Sequence, residues 1–340
     1  MRSARGTRLA NPLARALLGG LALVVLAATP AGADAAGPSD FRSKVTGIAP
    51  AVKGVHAEIR GGDTFLEVTV DAGHDVVVDG YQQEPYLHFL PDGTVQRNRR
   101  SAATYLNNNR KGKGVVPAEA QDPTATPVWE TVATHGTYAW HDHRVHWMSE
   151  VTPSVPRGQK VGGAYDPWKV PIVADGTAAE VEGTLTYEHA ASPLPWIAIA
   201  LVAAALLGWF GRRRAVATAA AALTVSSAVA VVVGRAEFAS TPGGGNPLLW
   251  MLPLVALLAG GVALVPRLRS TAVVGSLASV ACLSAWVFLR FQVLTKPVLP
   301  TALPFWFDRT TTSVALGLSV AAAYLAVTSG QLRLPALEDD

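Results

Sequence analysis

Glu180-Val-Glu-Gly-Thr-Leu-Thr-Tyr187 runs through Glu188-His-Ala-Ala-Ser-Pro193 into Leu194-Pro-Trp-Ile-Ala-Ile-Ala-Leu-Val-Ala-Ala-Ala-Leu-Leu-Gly-Trp-Phe210. Two hydrophobic patterns meet in this stretch. The first segment alternates apolar and polar residues in part, the period of a half-buried strand. After Ser192-Pro193 the alternation stops and an apolar run without a charged residue begins, the pattern of a helix in hydrocarbon. The break divides the chain into two parts with different chemistry.

Upstream of it, Thr64-Phe-Leu-Glu-Val-Thr-Val70 alternates residue by residue, and 55–60, 75–79, 86–90 and 168–173 are further strand candidates. Gly61-Gly62-Asp63, Asp71-Ala-Gly73 and Pro91-Asp92-Gly93 supply the turns between them. Such frequent short strands predict an all-β domain over 34–193, a sandwich of Greek-key, immunoglobulin-like or cupredoxin-like kind. Residues 97–127 interrupt the pattern with Arg97-Asn-Arg-Arg100, Asn107-Asn-Asn-Arg110 and Lys111-Gly-Lys-Gly114, so a long loop is expected there.

Downstream, apolar runs at 194–210, 215–233, 247–265, 270–289 and 311–328 are 17 to 20 residues long and carry no charge. They predict an all-α bundle of five transmembrane helices over 194–328 with a tail at 329–340. Transport usually needs ionisable groups inside the membrane, and these runs have none, so the bundle reads as an anchor or scaffold. Met251 and Cys282 are too few soft ligands for a copper(I) path. Between the last two runs, Pro297, Pro300, Pro304 and Phe305-Trp-Phe307 suggest irregular backbone at the interface, an interfacial loop more than a docking element.

The N-terminus has the parts of an export signal over 1–33: Arg2, Arg5, Arg8 and Arg15, an apolar run at 16–28, and Ala31-Gly-Ala33 as a cleavage site. An uncleaved first helix is the alternative. Arg212-Arg-Arg214, with Arg267 and Arg269, belongs on the cytoplasmic side. The expected topology is a multi-pass protein of the cell membrane, its N-terminal domain outside and its C-terminus inside.

Residues 34–193 hold 14 Lys and Arg against 20 Asp and Glu, a balance of −6 in a chain of +3 overall. An acidic domain lacks the basic footprint that nucleic acid requires. Cys282 is the only cysteine and lies in an apolar run, which excludes an intramolecular disulfide and a thiolate-ligated centre in the β domain.

All eight histidines lie between 56 and 189, four of them in His135-Gly-Thr-Tyr-Ala-Trp-His141-Asp-His143-Arg-Val-His146. On a strand, His141 and His143 would share one face and could chelate a metal ion, with Asp142, Arg144 and His146 on the other. On a helix, Asp142 and His146 would stack instead. Further ligands would come from His135, His56, His74 or His88, although a lone strand histidine is more often a half-buried surface residue. His74 sits in a turn and His189 beside the membrane. Met148 offers a soft axial ligand, or core filling. A cysteine-free imidazole site suits copper, with zinc as the alternative. The competing possibility is a closed His/Asp/Arg hydrogen-bond network without metal, with Arg144 stacked on Trp140 or Trp147.

A second constellation, Tyr81-Gln-Gln-Glu84-Pro-Tyr86 with Arg97 to Asn107, has the aromatics, amides and charges to line a groove for a sugar, peptide or anion. It can equally lace the long loop onto the sandwich. Hydrolase, zinc-protease and phosphate-loop signatures are missing, and no enzyme is expected.

Three stretches in order, Glu84-Pro-Tyr-Leu87, Asn98-Arg-Arg-Ser-Ala-Ala-Thr-Tyr-Leu-Asn107 and Trp140-His-Asp-His-Arg-Val-His-Trp-Met148, resemble exported, membrane-anchored proteins of high-GC Gram-positive bacteria with no established activity. The architecture and the His-X-His pair are also similar to periplasmic copper-handling β-sandwich domains fused to membrane helices. Those domains commonly carry a histidine at the mature N-terminus, where this chain would begin at Asp34.

The first expectation is therefore a cell-envelope metal protein, probed as copper and then zinc, that buffers the ion or delivers it to a membrane or envelope partner. His141, His143, His146 and His135 would be its ligands, with Asp142 and Arg144 behind the rings. The second is a non-catalytic envelope scaffold or interaction module in which the His/Asp/Arg cluster is structural and the 97–127 loop binds a protein or glycan.

Overall fold

The computed structural model describes residues 35–211, 215–265 and 272–328. The signal segment 1–33, the Arg212–Arg214 and Arg267/Arg269 clusters and the 329–340 tail lie outside the described residues.

The N-terminal domain consists of two antiparallel sheets. The strands are β1 (Phe41–Ala49), β2 (Val55–Arg60), β3 (Phe65–Val70), β4 (Val76–Asp79), β5 (Pro85–Phe89), β6 (Val95–Asn98), β7 (Trp129–Ala133), β8 (Thr137–Trp140), β9 (Gln159–Lys160), β10 (Trp168–Ala174) and β11 (Thr177–Tyr187). The larger sheet has the order β1-β11-β10-β4-β5-β6-β7, with β9 also on β11, and the smaller is β2-β3-β8. The inward residues of both sheets form one core. Leu66 and Val68 of the smaller sheet meet Val78, Leu87, Val170 and Leu185 of the larger, all fully buried. Each such side chain stabilises the fold by about 1.5–3 kcal/mol. Gly183 is glycine because the Trp168 ring covers it and leaves no room for a Cβ; the Trp168 Nε1–H donates to Ser43 Oγ at 3.1 Å.

The expected long loop leaves the larger sheet between β6 and β7 and contains a short helix, α1 (Ala102–Leu106), capped by Ser101. Asn98 closes the loop. Its Oδ1 accepts the backbone N–H of Arg100 at 2.9 Å and of Val128 at 3.0 Å, while its Nδ2 donates to Pro85 O at 2.7 Å.

Five apolar helices follow: α2 (Leu194–Phe210), α3 (Ala215–Ala239), α4 (Leu248–Leu264), α5 (Ala272–Leu289) and α6 (Phe305–Thr328). Three of them, α3, α5 and α6, are long and apolar enough to cross a membrane, and the protein is a membrane protein. The other two of the five expected spans, α2 and α4, have 17 residues each, about 25 Å at 1.5 Å per residue and at the short end of what crosses a hydrocarbon core.

The expectation of a charge-free bundle is corrected. α3 and α6 extend beyond the apolar runs at the end nearest the β domain, and they bring acidic residues with them. Arg290, after α5, is 2% exposed. It donates to Glu237 Oε2 of α3 at 2.6 Å, to both Asp308 oxygens of α6 at 2.8 Å and to Thr312 Oγ1 at 3.1 Å. The bundle therefore contains a buried arginine held between two carboxylates.

The segment between α5 and α6 is also more than an interfacial loop, because the β domain docks on it. Ser39 and Val298 exchange both backbone hydrogen bonds, at 2.9 and 3.1 Å, and Ala191 N–H donates to Thr295 O at 3.0 Å. Arg309 holds the segment from below through Val293 O at 3.0 Å and Lys296 O at 2.7 Å.

Candidate functional site

β8 pairs with β3 so that Trp140 lies opposite Leu66, and the strand ends there. His141–His146 is thus neither strand nor helix, and the face-sharing geometry expected for His141 and His143 does not arise. Asp142 turns the chain. Its Oδ1 accepts Arg144 N–H at 3.0 Å while Val145 N–H donates to Asp142 O at 3.1 Å, an Asx-type turn.

The Asp142 carboxylate is fully buried and saturated. It accepts Trp140 Nε1–H at 2.8 Å, Arg144 Nε–H at 2.8 Å and Arg144 Nη2–H at 2.7 Å. Burial pushes its pKa up, but the Arg144 charge and the hydrogen bonds from Arg144 and Trp140 outweigh that and hold it below the ordinary value. Arg144 also reaches Asp79 O at 3.2 Å and lies 5.0 Å over the Tyr81 ring, so its aromatic neighbour is neither Trp140 nor Trp147. The Tyr81 hydroxyl accepts His143 N–H at 2.9 Å and donates to Asn107 Oδ1 at 2.5 Å. Buried Glu84 accepts Ser101 Oγ–H at 2.6 Å and Gln82 N–H at 2.8 Å. The three sequence stretches beginning at Glu84, Asn98 and Trp140 therefore converge on one place.

The candidate ligands separate into three and one. His141 is buried against Phe65, ring centroids 4.3 Å apart, and its Nδ1–H donates to Thr64 O at 3.1 Å. His143 stacks on Tyr81 and donates Nε2–H to Asn109 O at 3.1 Å. His146 is fully buried, edge-on to His143 at 5.6 Å, and neither ring nitrogen makes a well-formed hydrogen bond among the described residues. Burial, reinforced by the charges of Arg110 and His143, pushes its pKa down to about 3. The Trp147 backbone opposes the shift only weakly. His135 is not part of the group. It sits exposed in the β7–β8 turn at the opposite end of β8, roughly 20 Å away at strand rise. His56, His74 and His88 pair instead with Asp71, Asp175 and Asp75.

Carbonyl-anchored rings such as His141 and His143 are common in metal sites, since the anchor fixes the tautomer. Yet among the described residues no group of three or more His, Cys, Asp or Glu is gathered to hold a metal ion. The fit to copper or zinc is incomplete.

Two residues at the site gave no sequence signal. Buried Asp63 accepts Ser39 Oγ–H at 3.0 Å and Arg110 Nη2–H at 2.5 Å, and Arg110 Nη1–H donates to Thr64 Oγ1 at 2.8 Å. Burial pushes the Asp63 pKa up despite Arg110. Asp63 had the appearance of a turn residue and Arg110 of a solvated loop cation, and no spacing relates them.

Beside the histidine turn a cleft of about 760 Å³ opens between the sheets, closed at one side by Pro242 and Gly243 from the α3–α4 connection. Phe65, Tyr86, Tyr138 and Trp140 give it an aromatic wall, and Glu67, Arg97, Asn107 and His141 supply polar groups. Tyr138 and Trp140 are stacked with centroids 6.4 Å apart. Asn107 is 7% exposed and lies within reach of the Tyr86 hydroxyl, yet its Nδ2 makes no well-formed hydrogen bond among the described residues. Within the Tyr81–Asn107 constellation, Tyr81, Glu84 and Ser101 lace the loop down, while Tyr86, Arg97 and Asn107 line the cavity.

Set against family models, curated proteins and solved structures, the chain matches none.

Proposed function

We propose that the protein is a non-catalytic, membrane-anchored binding module of the cell envelope whose cleft takes a small polar, ring-bearing ligand such as a sugar unit. In this account the His141–His146 turn is structural and shapes one wall of the cleft. The observation that carries the proposal is the lining of the cleft: Tyr138 and Trp140 offer aromatic surface on which a ring can lie, with Glu67, Arg97 and Asn107 beside it as hydrogen-bonding groups for hydroxyls. The mixture of aromatic wall and few polar groups is that of small-ligand sites generally.

The test is titration of the full chain in detergent with N-acetylglucosamine disaccharide, following tryptophan emission. Saturable quenching that Asn107→Leu weakens about tenfold is the expected result. A flat response to this sugar and to a glucose disaccharide would sink the proposal.

A second reading keeps the metal. The buried His146 nitrogens, beside His143, favour a copper or zinc site in which His141, His143 and His146 close around an ion for buffering or delivery. Metal content and copper(II)/zinc titration of the full chain, beside a His143→Ala/His146→Ala variant, tests it. Stoichiometric binding lost in a variant that still folds would favour metal over the sugar cleft.

For the topology we place the β domain outside the cytoplasmic membrane with all five helices crossing it. The signal-like N-terminus and the Arg212–Arg214 and Arg267/Arg269 clusters support this. For the fold we favour a Greek-key class, supported by all-antiparallel pairing and by the return of β10 and β11 between β4 and β1.

A further inference from the structure

A second cleft, of about 510 Å³, lies where the β domain meets the helices. One wall is made by β1 and β2 and carries Arg42, Lys44 and Arg60, with Glu58 as the carboxylate among them. The other is apolar and is made by Leu299, Ala302 and Phe305, with the end of α3 behind them. Arg42 is paired through Nε with Glu188 at 2.8 Å, and Arg60 through Nη1 with Glu58 at 3.1 Å. Lys44 is exposed and forms no ion pair among the described residues.

The depth of this cleft is fixed by its neighbours. The Arg42 guanidinium carbon lies 5.8 Å over the Phe305 ring, and Phe305 opens α6, one of the membrane-spanning helices. Trp306, the next residue, is 62% exposed, as interfacial aromatics are. The cationic wall therefore sits at headgroup level and the apolar wall continues into the hydrocarbon.

We propose that this cleft binds one anionic phospholipid from the leaflet that faces the β domain. Its phosphodiester lies against Arg42 and Lys44, and its glycerol and upper acyl chain lie on Ala302 and Phe305. Glu188 engages Arg42 through Nε alone, and Glu58 and Glu67 lie on Arg60, so the cations open to an anion are Lys44 and the outer edge of the Arg42 fork, which matches phosphate oxygens. A soluble phosphate ester shares the anion but leaves the apolar wall bare.

The experiment is native mass spectrometry of the full chain in neutral detergent with equal amounts of phosphatidylglycerol and phosphatidylcholine. Glycerol 1-phosphate is the soluble competitor. The expected result is one retained phosphatidylglycerol, preferred over phosphatidylcholine and not displaced by glycerol 1-phosphate. Arg42→Gln/Lys44→Gln should cut its retention by about tenfold or more. Ala302→Trp, which fills the apolar side and leaves every charge in place, should cut it too. Melting temperatures of both variants close to that of the unaltered chain would show that folding is intact. Equal retention of the two lipids, or unchanged retention in both variants, overturns the proposal. Displacement by glycerol 1-phosphate overturns the lipid assignment in favour of a soluble anion.

Discussion

Two of the arginine–carboxylate clusters that the molecule buries are built in opposite ways. In the β domain Asp142 and Arg144 are two residues apart, on one turn, and Arg144 keeps 18% of its side chain exposed. In the helical region Arg290 reaches Glu237 and Asp308 on two other helices, with side chains 1% to 5% exposed. The first cluster is a local turn reinforced by charge. The second is a tertiary clasp that joins three helices and exists only once they have assembled. A local pair has an alternative in water, whereas a fully desolvated clasp has none, so the consequences of breaking each should differ in size.

The largest effect is expected from Arg290→Met, which leaves Glu237 and Asp308 as buried carboxylates without the cation that bridges them. A loss of about 3–5 kcal/mol is expected, read as thermal unfolding in detergent, with much of it recovered in Arg290→Met/Glu237→Gln/Asp308→Asn. If Arg290→Met melts with the unaltered protein, the clasp is no clasp. Asp142→Asn should cost about 2–3 kcal/mol, less than Arg290→Met, because Arg144 retains Asp79 O and some access to water. The reverse order of these two variants would overturn the comparison.

His146 gives the β domain a pH dependence. Its pKa is depressed in the folded state to about 3 from 6.5. Between these values the unfolded chain takes up a proton that the folded chain does not. The stability this group supports is therefore complete above pH 6.5 and falls as the pH drops toward 3, by at most about 1.4 kcal/mol per pH unit. Denaturant titrations at pH 7 and 5 should show a loss of up to about 2 kcal/mol that His146→Leu largely removes. An identical pH slope in that variant would assign the acid sensitivity elsewhere. Smallest is Trp140→Phe, which deletes one of the donors to Asp142. About 1 kcal/mol is expected from the same titration, and no change at all would mean that Arg144 alone saturates the carboxylate.

Legibility in the sequence followed the same division between local and distant. β3 is visible because apolar and polar residues alternate along it, β2 and β11 because they alternate in part, and β4, β5 and β10 as short apolar runs between turns. β1 is not, since its one fully buried side chain is the polar Ser43 and its apolar Phe41, Val45 and Ile48 are only partly buried against the core. The His141–His146 stretch is conspicuous by composition, but composition does not distinguish strand or helix from the turn it forms. What ends β8 is the saturation of Asp142 by its own neighbours, and nothing in the spacing signals it. Arg110 and Asp63 meet across 47 positions, and Arg290 meets Glu237 across 53. Such pairs leave no periodic trace. The acidic ends of α3 and α6 fell outside the apolar windows because a charge looks like the edge of a span until its partner is known.

The two ends of the β domain are fastened to the same short strip of chain. Ser39, near its start, is stitched to Val298, and Ala191, just past its end, to Thr295. A body held at one point swings; one held at two points on a common bar can only rock about it, and the Ala36 N–H bond to Thr241 Oγ1 at 3.1 Å, off that bar, opposes the rocking. The β domain is thus mounted in a fixed bearing, and a load on its outer surface is delivered as torque to residues 295–298 and, through Arg309, to the start of α6.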